Sequence, residues 1–506
     1  MNSDRRPPVE GGAGGAPLRA PVLKVFTGTP DAFAPRAAWV LESLFAPLGR
    51  RVAVTRDPAE AGGAVLAYSA EPVVGVPTIP CRAGAMTLIG SSRRLPAGAF
   101  AAVEIGDGTA VAAWPGDPGS GFAVPFDLVA SAFVLLACWD EHTTGERDKY
   151  GRLPYSASVF AENPELRIEE PAVDRYVELL RGALTPRLAE LGLEPLPPAG
   201  SVWGARGRFA IALTHDLDNL WRWTRRGFAA AGYRTARAAR HLEGRAVLRE
   251  AGDGADWLVR HLPRRTDPFW TFSQMLEGED VRGVSSTFYV IARHTHKQDG
   301  NQPDTYAKRI PLALKLVADA GREVGLHGND ADRLSLDALT EDRHGLSGRA
   351  GHAVTGIRYH YLRALYHETL PMLEQAGFTY DTTLAFAEHE GFRCGCSFPF
   401  RPYSLAEERA LDLVELPLAV MDGTLQEPHY RGLTAEDAEF AAASVLARAL
   451  RSGGAISLLW HNNRFDRRVS RGYDKVYWRL LDQALAHGAW CTGAAAVVAR
   501  WKEATA

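Results

Sequence analysis

The sequence predicts an α/β protein in which a mixed α/β domain precedes a second domain built on a parallel sheet. Two observations support this prediction. After residue 198, short apolar runs alternate with helical stretches, and strands separated by helices usually pair in parallel. Histidines, aspartates and an arginine follow these runs, which is where active sites collect in such folds. On this pattern alone the sheet is either a closed barrel or an open one.

The composition is that of a folded enzyme. The chain has 506 residues, of which 46% are hydrophobic and 23% charged. At about 100–200 residues per domain, this length suggests two or three domains. The net charge of −3 gives no reason to expect nucleic acid as a partner. The five cysteines are odd in number and mostly far apart, which favours a reducing compartment over a disulfide framework.

Three segments are expected along the chain. Residues 1–21 lack the apolar stretch of a secretory signal, and we interpret them as a disordered leader. Residues 22–198 form the mixed domain, in which the apolar run 128–139 predicts a buried helix too short to span a bilayer. Prolines interrupt the helical pattern of residues 171–198, so we place the boundary there and assign residues 199–506 to the second domain.

A basic insertion separates the first two strands of the second domain. Residues 220–281 are rich in arginine, interleaved with Trp221, Trp223 and Tyr233. The simplest interpretation is a solvated helical face, but the segment also suits peripheral contact with an anionic membrane or a polyanionic substrate. Because neither an export signal nor a membrane span is found, the expected location is the cytoplasm, including the inner face of the membrane.

Eight apolar runs predict the strands of the second domain. In chain order they are residues 209–214, 286–292, 322–327, 355–358, 378–381, 413–418, 455–460 and a weaker run near Trp490. The polar residues at the ends of these runs are Asp216, Asp218, His327, Arg358, His360, Asp422 and His461. The carboxyl ends of parallel strands meet at one edge of a sheet, so we expect these side chains to share a cleft.

The first of these strand ends carries two carboxylates that suit metal-assisted hydrolysis. Aspartates at positions i and i+2 of a strand point the same way, so Asp216 and Asp218 can face one cavity. One can bind a divalent cation while the other accepts a proton from the attacking water. Histidines commonly complete such sites. An isolated aspartate pair is more often a helix cap or a turn, but the other strand-end histidines favour the metal site.

Seven motifs occur in a fixed order along the second domain. They are LTHDLD (213–218), EVGLHGN (323–329), GIRYHYLR (356–363), YDTTLAF (380–386), GFRCGCSFPFRPY (391–403), LVELPLAVMDGTL (413–425) and ISLLWHNNRF (456–465). Together they resemble the polysaccharide deacetylase superfamily, also called carbohydrate esterase family 4 or the nodulation-deacetylase homology domain. FDLVASAFVLLACWDEH, RDKYGRLPYSAS and PAVDRYVELL resemble the uncharacterised N-terminal domain of one bacterial branch.

The resemblance implies a fold, a cofactor and a set of roles. The fold is a distorted (β/α) barrel of about seven strands, and the cofactor is a divalent metal, expected to be Zn²⁺. Matched residue by residue, Asp216 is the catalytic base, and Arg358 is the arginine that orients it. Asp218 and His327 are metal ligands. His461 is the histidine that protonates the leaving amine.

The chain departs from the family pattern at one metal ligand. The family's second metal motif ends in a histidine, but this position holds Ala331, whose side chain cannot bind a metal. We expect His360 to supply the third ligand, because it follows Arg358 by two residues and strand alternation places both on one side. Asp330, His461 and water are the alternatives.

The first functional hypothesis is a metal-dependent carbohydrate N-deacetylase in a bacterial polysaccharide or envelope pathway. Its substrate would be an N-acetylated saccharide, for example a lipid-linked one. A second hypothesis, favoured by Ala331, is a non-catalytic saccharide-binding or scaffold descendant of the fold. A third is a hydrolase that cuts another C–N bond in a small molecule.

Residues next to the motifs receive structural interpretations. His215 should point away from the cleft, since it lies between two residues that face it. Cys394 and Cys396 are interpreted as buried thiols, because two cysteines without a second pair are a weak zinc signal. Trp460 suits either core packing or a sugar-stacking wall. Asp422 either lines the cleft or bonds to a loop.

Overall fold

The computed structural model describes most of the chain. The described residues are 21–90, 94–95, 100–105, 110–114, 121–162, 166–240, 247–248, 252, 267–294, 299, 303–329, 333, 335–467 and 469–506. Residues 1–20 of the predicted leader and most of residues 241–266 of the insertion lie outside this set.

The N-terminal half is built on a small parallel sheet. Its strands are β1 (Leu23–Thr27), β2 (Val52–Thr55), β3 (Leu66–Ser69) and β4 (Thr78–Pro80), followed by a separate antiparallel pair, β5 (Ala101–Glu104) and β6 (Ala110–Ala113). The first four strands pair in the order β2-β1-β3-β4. The helices of this half are α1 (Ala34–Phe45), α2 (Ala83–Gly90), α3 (Leu128–Leu136), α4 (Trp139–Thr143), α5 (Val159–Glu162) and α6 (Ala172–Glu190).

The apolar run 128–139 forms a buried helix, as predicted, but a second short helix begins within it. Every residue of α3 is buried. Asp127 caps this helix by accepting a hydrogen bond from the Ala130 amide at 2.9 Å. The chain turns at Cys138, whose φ of 45° lies in the left-handed region, and α4 starts at the next residue.

The C-terminal half carries eleven strands among its described residues. They are β7 (Phe209–Asp216), β8 (Thr287–Val290), β9 (Glu323–Gly328), β10 (Gly356–Tyr359), β11 (Tyr380–Asp381), β12 (Tyr403–Ser404), β13 (Arg409–Ala410), β14 (Val414–Glu415), β15 (Leu418–Met421), β16 (Ala455–Leu459) and β17 (Ala489–Thr492). Nine of the described strands form one parallel sheet in the order β14-β11-β10-β9-β8-β7-β16-β15, with β17 also paired to β7.

This sheet curls into a half-barrel, consistent with the predicted distorted barrel. Each of the eight predicted runs contains a strand of it. The described strands number nine rather than about seven for two reasons. Pro417 lacks an amide donor and stands between β14 and β15, which divides the run 413–418. The weak run near Trp490 forms β17.

Helices connect the strands of the C-terminal half. They are α7 (Arg225–Arg240), α8 (Phe272–Val281), α9 (Pro303–Asp319), α10 (Leu336–Ala350), α11 (Tyr366–Gln375), α12 (Asp422–Gln426), α13 (Ala435–Ser452), α14 (Tyr473–Ala486) and α15 (Ala494–Thr505). Thr434 caps the start of α13, and Gly453 ends it with a φ of 64°. Among the described residues, no helix combines the length and apolar character needed to cross a bilayer.

Two glycines let aromatic rings lie directly against β9, the strand that carries His327. A Cβ at Gly325 would come within 2.5 Å of the Tyr289 ring, and one at Gly328 within 2.5 Å of the Tyr359 ring. Any side chain at either position would therefore push a neighbouring strand away. The glycines of the EVGLHGN motif thus serve packing around the histidine.

One hydrophobic core runs through both halves of the chain. Buried polar contacts also connect the N-terminal half to the C-terminal half. Glu141 of α4 forms an ion pair with Arg393, and the side chains of both residues are 2% exposed. Asp174 of α6 accepts a hydrogen bond from the Ser397 amide at 2.9 Å. The buried contacts bind the N-terminal half firmly to the sheet that carries the strand-end residues.

Removing Glu141 should therefore destabilise the whole protein. In Glu141→Ala, the Arg393 guanidinium stays buried without its carboxylate, and such a loss typically costs about 3–5 kcal/mol. Urea unfolding followed by circular dichroism measures this difference. The matched control is Glu162→Ala, which removes an exposed ion pair with Arg94 and should cost less than about 1 kcal/mol. Equal effects of the two substitutions would contradict the anchoring role.

Candidate active site

The strand order brings the six predicted site residues together at the carboxyl ends of the strands. Asp216 ends β7, and Asp218 follows two residues later. His327 on β9 is in register with Arg358 on the adjacent β10. His360 follows the last residue of β10, and His461 lies two residues beyond the end of β16, the strand paired with β7 on its other edge.

Three of these side chains form a compact group. Asp218 Oδ1 lies 3.0 Å from His327 Nε2, and Asp218 Oδ2 lies 3.5 Å from His360 Nε2. One ligand atom from each residue lies within 4.8 Å of the others. Two imidazole nitrogens and one carboxylate oxygen are a ligand set found in catalytic zinc sites, where a further coordination position stays open.

Hydrogen bonding prepares His327 to bind a cation. Its Nδ1 lies 2.9 Å from the carbonyl oxygen of Arg358 and donates to it, so Nε2 keeps its lone pair. His327 Nε2 and Asp218 Oδ1 are both buried and face each other at 3.0 Å, and neither makes a hydrogen bond of good geometry to any described residue. Buried polar atoms without partners are rare, and a bound cation would satisfy both. The residues present therefore fit a divalent metal.

Arg358 holds Asp216 beside this group. The Arg358 side chain is fully buried, and its Nη1 lies 3.0 Å from Asp216 Oδ1. The other carboxylate oxygen of Asp216 lies 3.8 Å from His327 Nε2. Asp216 therefore has one oxygen fixed by the guanidinium and the other turned towards the candidate metal ligands. This is the geometry that a base needs if it is to accept a proton from a water at the metal.

His461 faces the group from the opposite wall. Its Nε2 lies 3.4 Å from Asp218 Oδ2, and its Nδ1 lies 2.6 Å from Asp422 Oδ1. Arg464 Nε donates to the second oxygen of Asp422 at 3.0 Å. The imidazole is thereby oriented by a carboxylate that is itself fixed, with Nε2 directed into the site.

The charges of the site shift the pKa values of His461 and His327 upwards. Burial alone would lower the pKa of His461, but the Asp422 carboxylate, together with Asp218, holds it well above the usual range. Burial likewise opposes the positive form of His327, yet the charge of Asp216 and the contact with Asp218 raise its pKa. His461 is therefore suited to carry a proton at neutral pH.

The pKa values of two carboxyl groups, Asp218 and Asp422, shift downwards. Burial would raise the pKa of Asp218, but the charge of His360 and the contacts with the other imidazoles hold it well below the usual range. Burial also opposes the charge of Asp422, and the charge of His461 nevertheless lowers the pKa of that carboxyl. Both carboxylates are accordingly expected to be ionised at neutral pH.

The structure bears on the open choice of a third metal ligand. His360 is grouped with Asp218 and His327. His461 bonds to Asp422 through one nitrogen and stands at the wall of the site. Asp330 and Ala331 lie outside the described residues.

The neighbouring residues separate into structural and site residues. His215 is fully buried, with Nε2 2.9 Å from Glu279 Oε1, and points away from the site, as predicted. Trp460 is fully buried core. Cys394 and Cys396 are buried free thiols. Asp422 is fully buried and bonds to His461 and Arg464 of the segment that follows β16.

The pairing of Asp422 with His461 and Arg464 is the part of the site that the motifs do not reveal. β15 pairs in parallel with β16, with Met421 opposite Leu459. Asp422 follows Met421 directly, so it is placed beside the chain that leads to His461. The strand order, which only the structure gives, is the signal for this pair.

Comparisons with known proteins give the following similarities. Residues 28–188 match the model of a family of unknown function, DUF7033. No curated protein matches the chain significantly. A structure described as a polysaccharide deacetylase from Mycobacterium smegmatis is 20% identical with a TM-score of 0.39, and the alignment covers 60% of this chain and 92% of that one.

Two further solved structures are similar over a comparable share of the chain. A structure described as a polysaccharide deacetylase from Pseudomonas aeruginosa PAO1 is 13% identical with a TM-score of 0.40, covering 61% of this chain and 95% of that one. A CE4 family pseudoenzyme from Bacillus anthracis is 12% identical with a TM-score of 0.28, covering 57% and 65%. These TM-scores are low, and the similarities carry no information about the function of this chain.

His360→Ala should weaken metal binding. The substitution removes one of two imidazole ligands, and we expect the affinity for Zn²⁺ to fall by at least about tenfold, since changes even outside the ligand set cost 10–100-fold. Isothermal titration of metal-free protein with Zn²⁺ measures the affinity. The control is His429→Ala, which removes an exposed histidine outside the group. An unaltered affinity in His360→Ala would exclude this residue as the third ligand.

Proposed function

We propose that the protein is a metal-dependent N-deacetylase that acts on an acetamido sugar. The observation that carries this proposal is that a base, a cation-binding group and an acid lie next to one another at the strand ends. Asp216 is placed as a base, the group formed by Asp218, His327 and His360 fits a cation, and His461 is placed as an acid. Hydrolysis of an amide needs all three functions, because the carbonyl must be activated, water deprotonated and the amine protonated.

Each side chain has a defined task in the proposed reaction. A divalent cation bound by the group would polarise the acetamido carbonyl and make a bound water more acidic. Asp216 accepts a proton from the attacking water, while Arg358 keeps the carboxylate in place. His461 donates its proton to the nitrogen as the C–N bond breaks, so the amine leaves neutral.

The arrangement of charges suits the roles of Asp216 as a base and His461 as an acid. Asp422 keeps His461 in the protonated form that an acid requires. Both the base and the acid lie within 4 Å of a candidate ligand, since Asp216 is 3.8 Å from His327 and His461 is 3.4 Å from Asp218. A scissile amide held at the metal would therefore be within reach of both groups.

The proposed substrate belongs to a bacterial polysaccharide or envelope pathway, for example a lipid-linked saccharide handled in the cytoplasm or at the inner face of the membrane. The basic helix α7 supports this part of the proposal, because Arg237 and Arg240 are exposed on it. Exposed arginines attract anionic lipid headgroups or phosphates.

Two other functions remain as rivals with distinct signatures. A saccharide-binding scaffold would bind the sugar without releasing acetate. Its weakness is that such a protein needs neither the fixed base Asp216 nor the oriented acid His461. A hydrolase of another C–N bond in a small molecule would use the same groups and would be distinguished by its substrate alone.

Asp216→Asn should abolish most of the activity while leaving the metal bound. The amide cannot accept the proton, so we expect kcat for acetate release from N-acetylated oligosaccharides to fall by about 10²–10⁴-fold. Acetate is measured with a coupled assay, and Zn²⁺ content by elemental analysis. The control is Asp412→Asn, which alters an exposed aspartate outside the site and should retain full activity.

Measurements on the wild type and on Asp216→Asn distinguish the three proposed functions. Release of acetate by the wild type that depends on Asp216 supports the deacetylase. Saccharide binding without acetate release by the wild type would support the scaffold. Cleavage of a different C–N bond in a small molecule, found by substrate screening and again dependent on Asp216, would support the third function, a hydrolase of such bonds.

A further inference from the structure

Among the described residues of the N-terminal half, the turn formed by residues 148–152 packs against Tyr361, the residue after His360. We propose that Tyr150 and Arg152 of this turn position the His360 imidazole for cation binding, so that the N-terminal half is part of the active site. The proposal rests on the proposed function in that it takes His360 as a metal ligand. It assigns a task to a region that matches only a family of unknown function.

The turn is rigid by its own hydrogen bonds. Asp148 accepts from the amide of Tyr150 at 2.8 Å and from the amide of Arg152 at 3.0 Å. Its other oxygen accepts from Arg152 Nε at 2.8 Å, which fixes the guanidinium. Gly151 adopts a φ of 78°, and its amide donates to the Asp148 carbonyl at 2.9 Å. The turn therefore presents Tyr150 and Arg152 in one arrangement.

The segment that receives this turn is strained. Tyr361 and Leu362 follow His360 directly and have φ values of 58° and 56°. For residues other than glycine, the left-handed region is disfavoured, and it persists only where the surroundings enforce it. Without an external constraint, the backbone next to His360 would be expected to relax.

Arg152 supplies that constraint. Its Nη1 donates a hydrogen bond of 2.7 Å to the Tyr361 carbonyl oxygen, across 209 positions of sequence. The arginine is 5% exposed, so the bond is shielded from water. A charge-assisted hydrogen bond of this kind is about twice as strong as a neutral one. It holds the peptide that leads away from His360.

Stacked rings then connect the turn to His360, the candidate metal ligand. Tyr150 stacks on Tyr361 with ring centroids 4.7 Å apart and an interplanar angle of 10°. Tyr361 in turn stacks on the His360 imidazole at 4.0 Å and 24°. The Arg152 guanidinium lies 4.9 Å from the centre of the Tyr150 ring. Rotation of the imidazole away from Asp218 would break this column.

A cation site is sensitive to such support. Metal–nitrogen bonds require the ligand atom to lie within a few tenths of an ångström of its position. Partners that orient a ligand typically change metal affinity by 10–100-fold when they are removed. Tyr150 and Arg152 act on His360 in this way, although neither carries a ligand atom within the described group.

The test measures Co²⁺ binding by the full-length protein, through titration calorimetry and the visible absorption spectrum of the bound ion. We expect Arg152→Ala to raise the Co²⁺ dissociation constant by about 10–100-fold. Arg152→Lys keeps a positive donor and should recover part of the loss. Tyr150→Ala should also weaken binding and alter the spectrum, whereas Tyr150→Phe retains the ring and should restore what the alanine variant loses.

The matched control is Arg36→Ala. Arg36 is another arginine of the N-terminal half that bonds to the C-terminal half, through Glu408 at 2.5 Å, but it touches none of the candidate site residues. It should leave the Co²⁺ affinity and spectrum unchanged even if it lowers the melting temperature. If Arg152→Ala does not fold, the comparison of Tyr150→Ala with Tyr150→Phe decides the proposal.

Failure of this proposal is distinguishable from failure of the proposed function. Wild-type Co²⁺ affinity in both Arg152→Ala and Tyr150→Ala would overturn the positioning role, whatever the activity. A wild type that binds Co²⁺ but releases no acetate would overturn the deacetylase alone, and the variants would still decide the positioning role. A wild type that binds no Co²⁺ would overturn both.

Discussion

The buried ion pair between Arg358 and Asp216 is the interaction on which the rest of the site depends. The Arg358 guanidinium has no exposed surface, so its charge and its N–H groups need partners within the protein. An unpaired buried charge would cost several kcal/mol. Arg358 meets this need with Asp216 and with further groups of the surrounding strands and loops. These are the Thr214 hydroxyl at 2.8 Å, the Ser457 hydroxyl at 2.7 Å, the Thr382 carbonyl at 3.1 Å and the face of the Tyr289 ring at 4.6 Å.

The same residue links the base to the metal ligands. Its side chain fixes Asp216, and its backbone carbonyl accepts the Nδ1 hydrogen of His327. The positions of the proton acceptor and of one candidate ligand are therefore set by one buried residue on β10. On the opposite wall, Asp422 fixes His461 in a similar way, with Arg464 behind it. Each reacting group thus has an oppositely charged partner that limits its movement, which is how a site is organised before the substrate arrives.

Much of this arrangement could be predicted from the sequence because parallel sheets place strand ends together. The apolar runs marked the strands, and the polar residues after them marked the cleft. The division of one run into two strands at Pro417 has a local cause, because proline lacks the amide donor that a central strand needs. Two features could not be predicted. The partner of His461 depends on the pairing of β15 with β16, and the column of rings behind His360 joins residues about 210 positions apart. Pairings over such distances follow from the three-dimensional fold and leave no local pattern.

Binding of one cation by Asp218, His327 and His360 can be observed in crystals of the protein grown with Zn²⁺, with anomalous diffraction recorded at the zinc absorption edge. We expect one strong anomalous peak from a zinc ion bonded to Asp218 Oδ and to the Nε2 atoms of His327 and His360, at about 2.0–2.2 Å. A zinc ion bonded elsewhere, or the absence of a peak between these three side chains, would rule out a metal site shared by them.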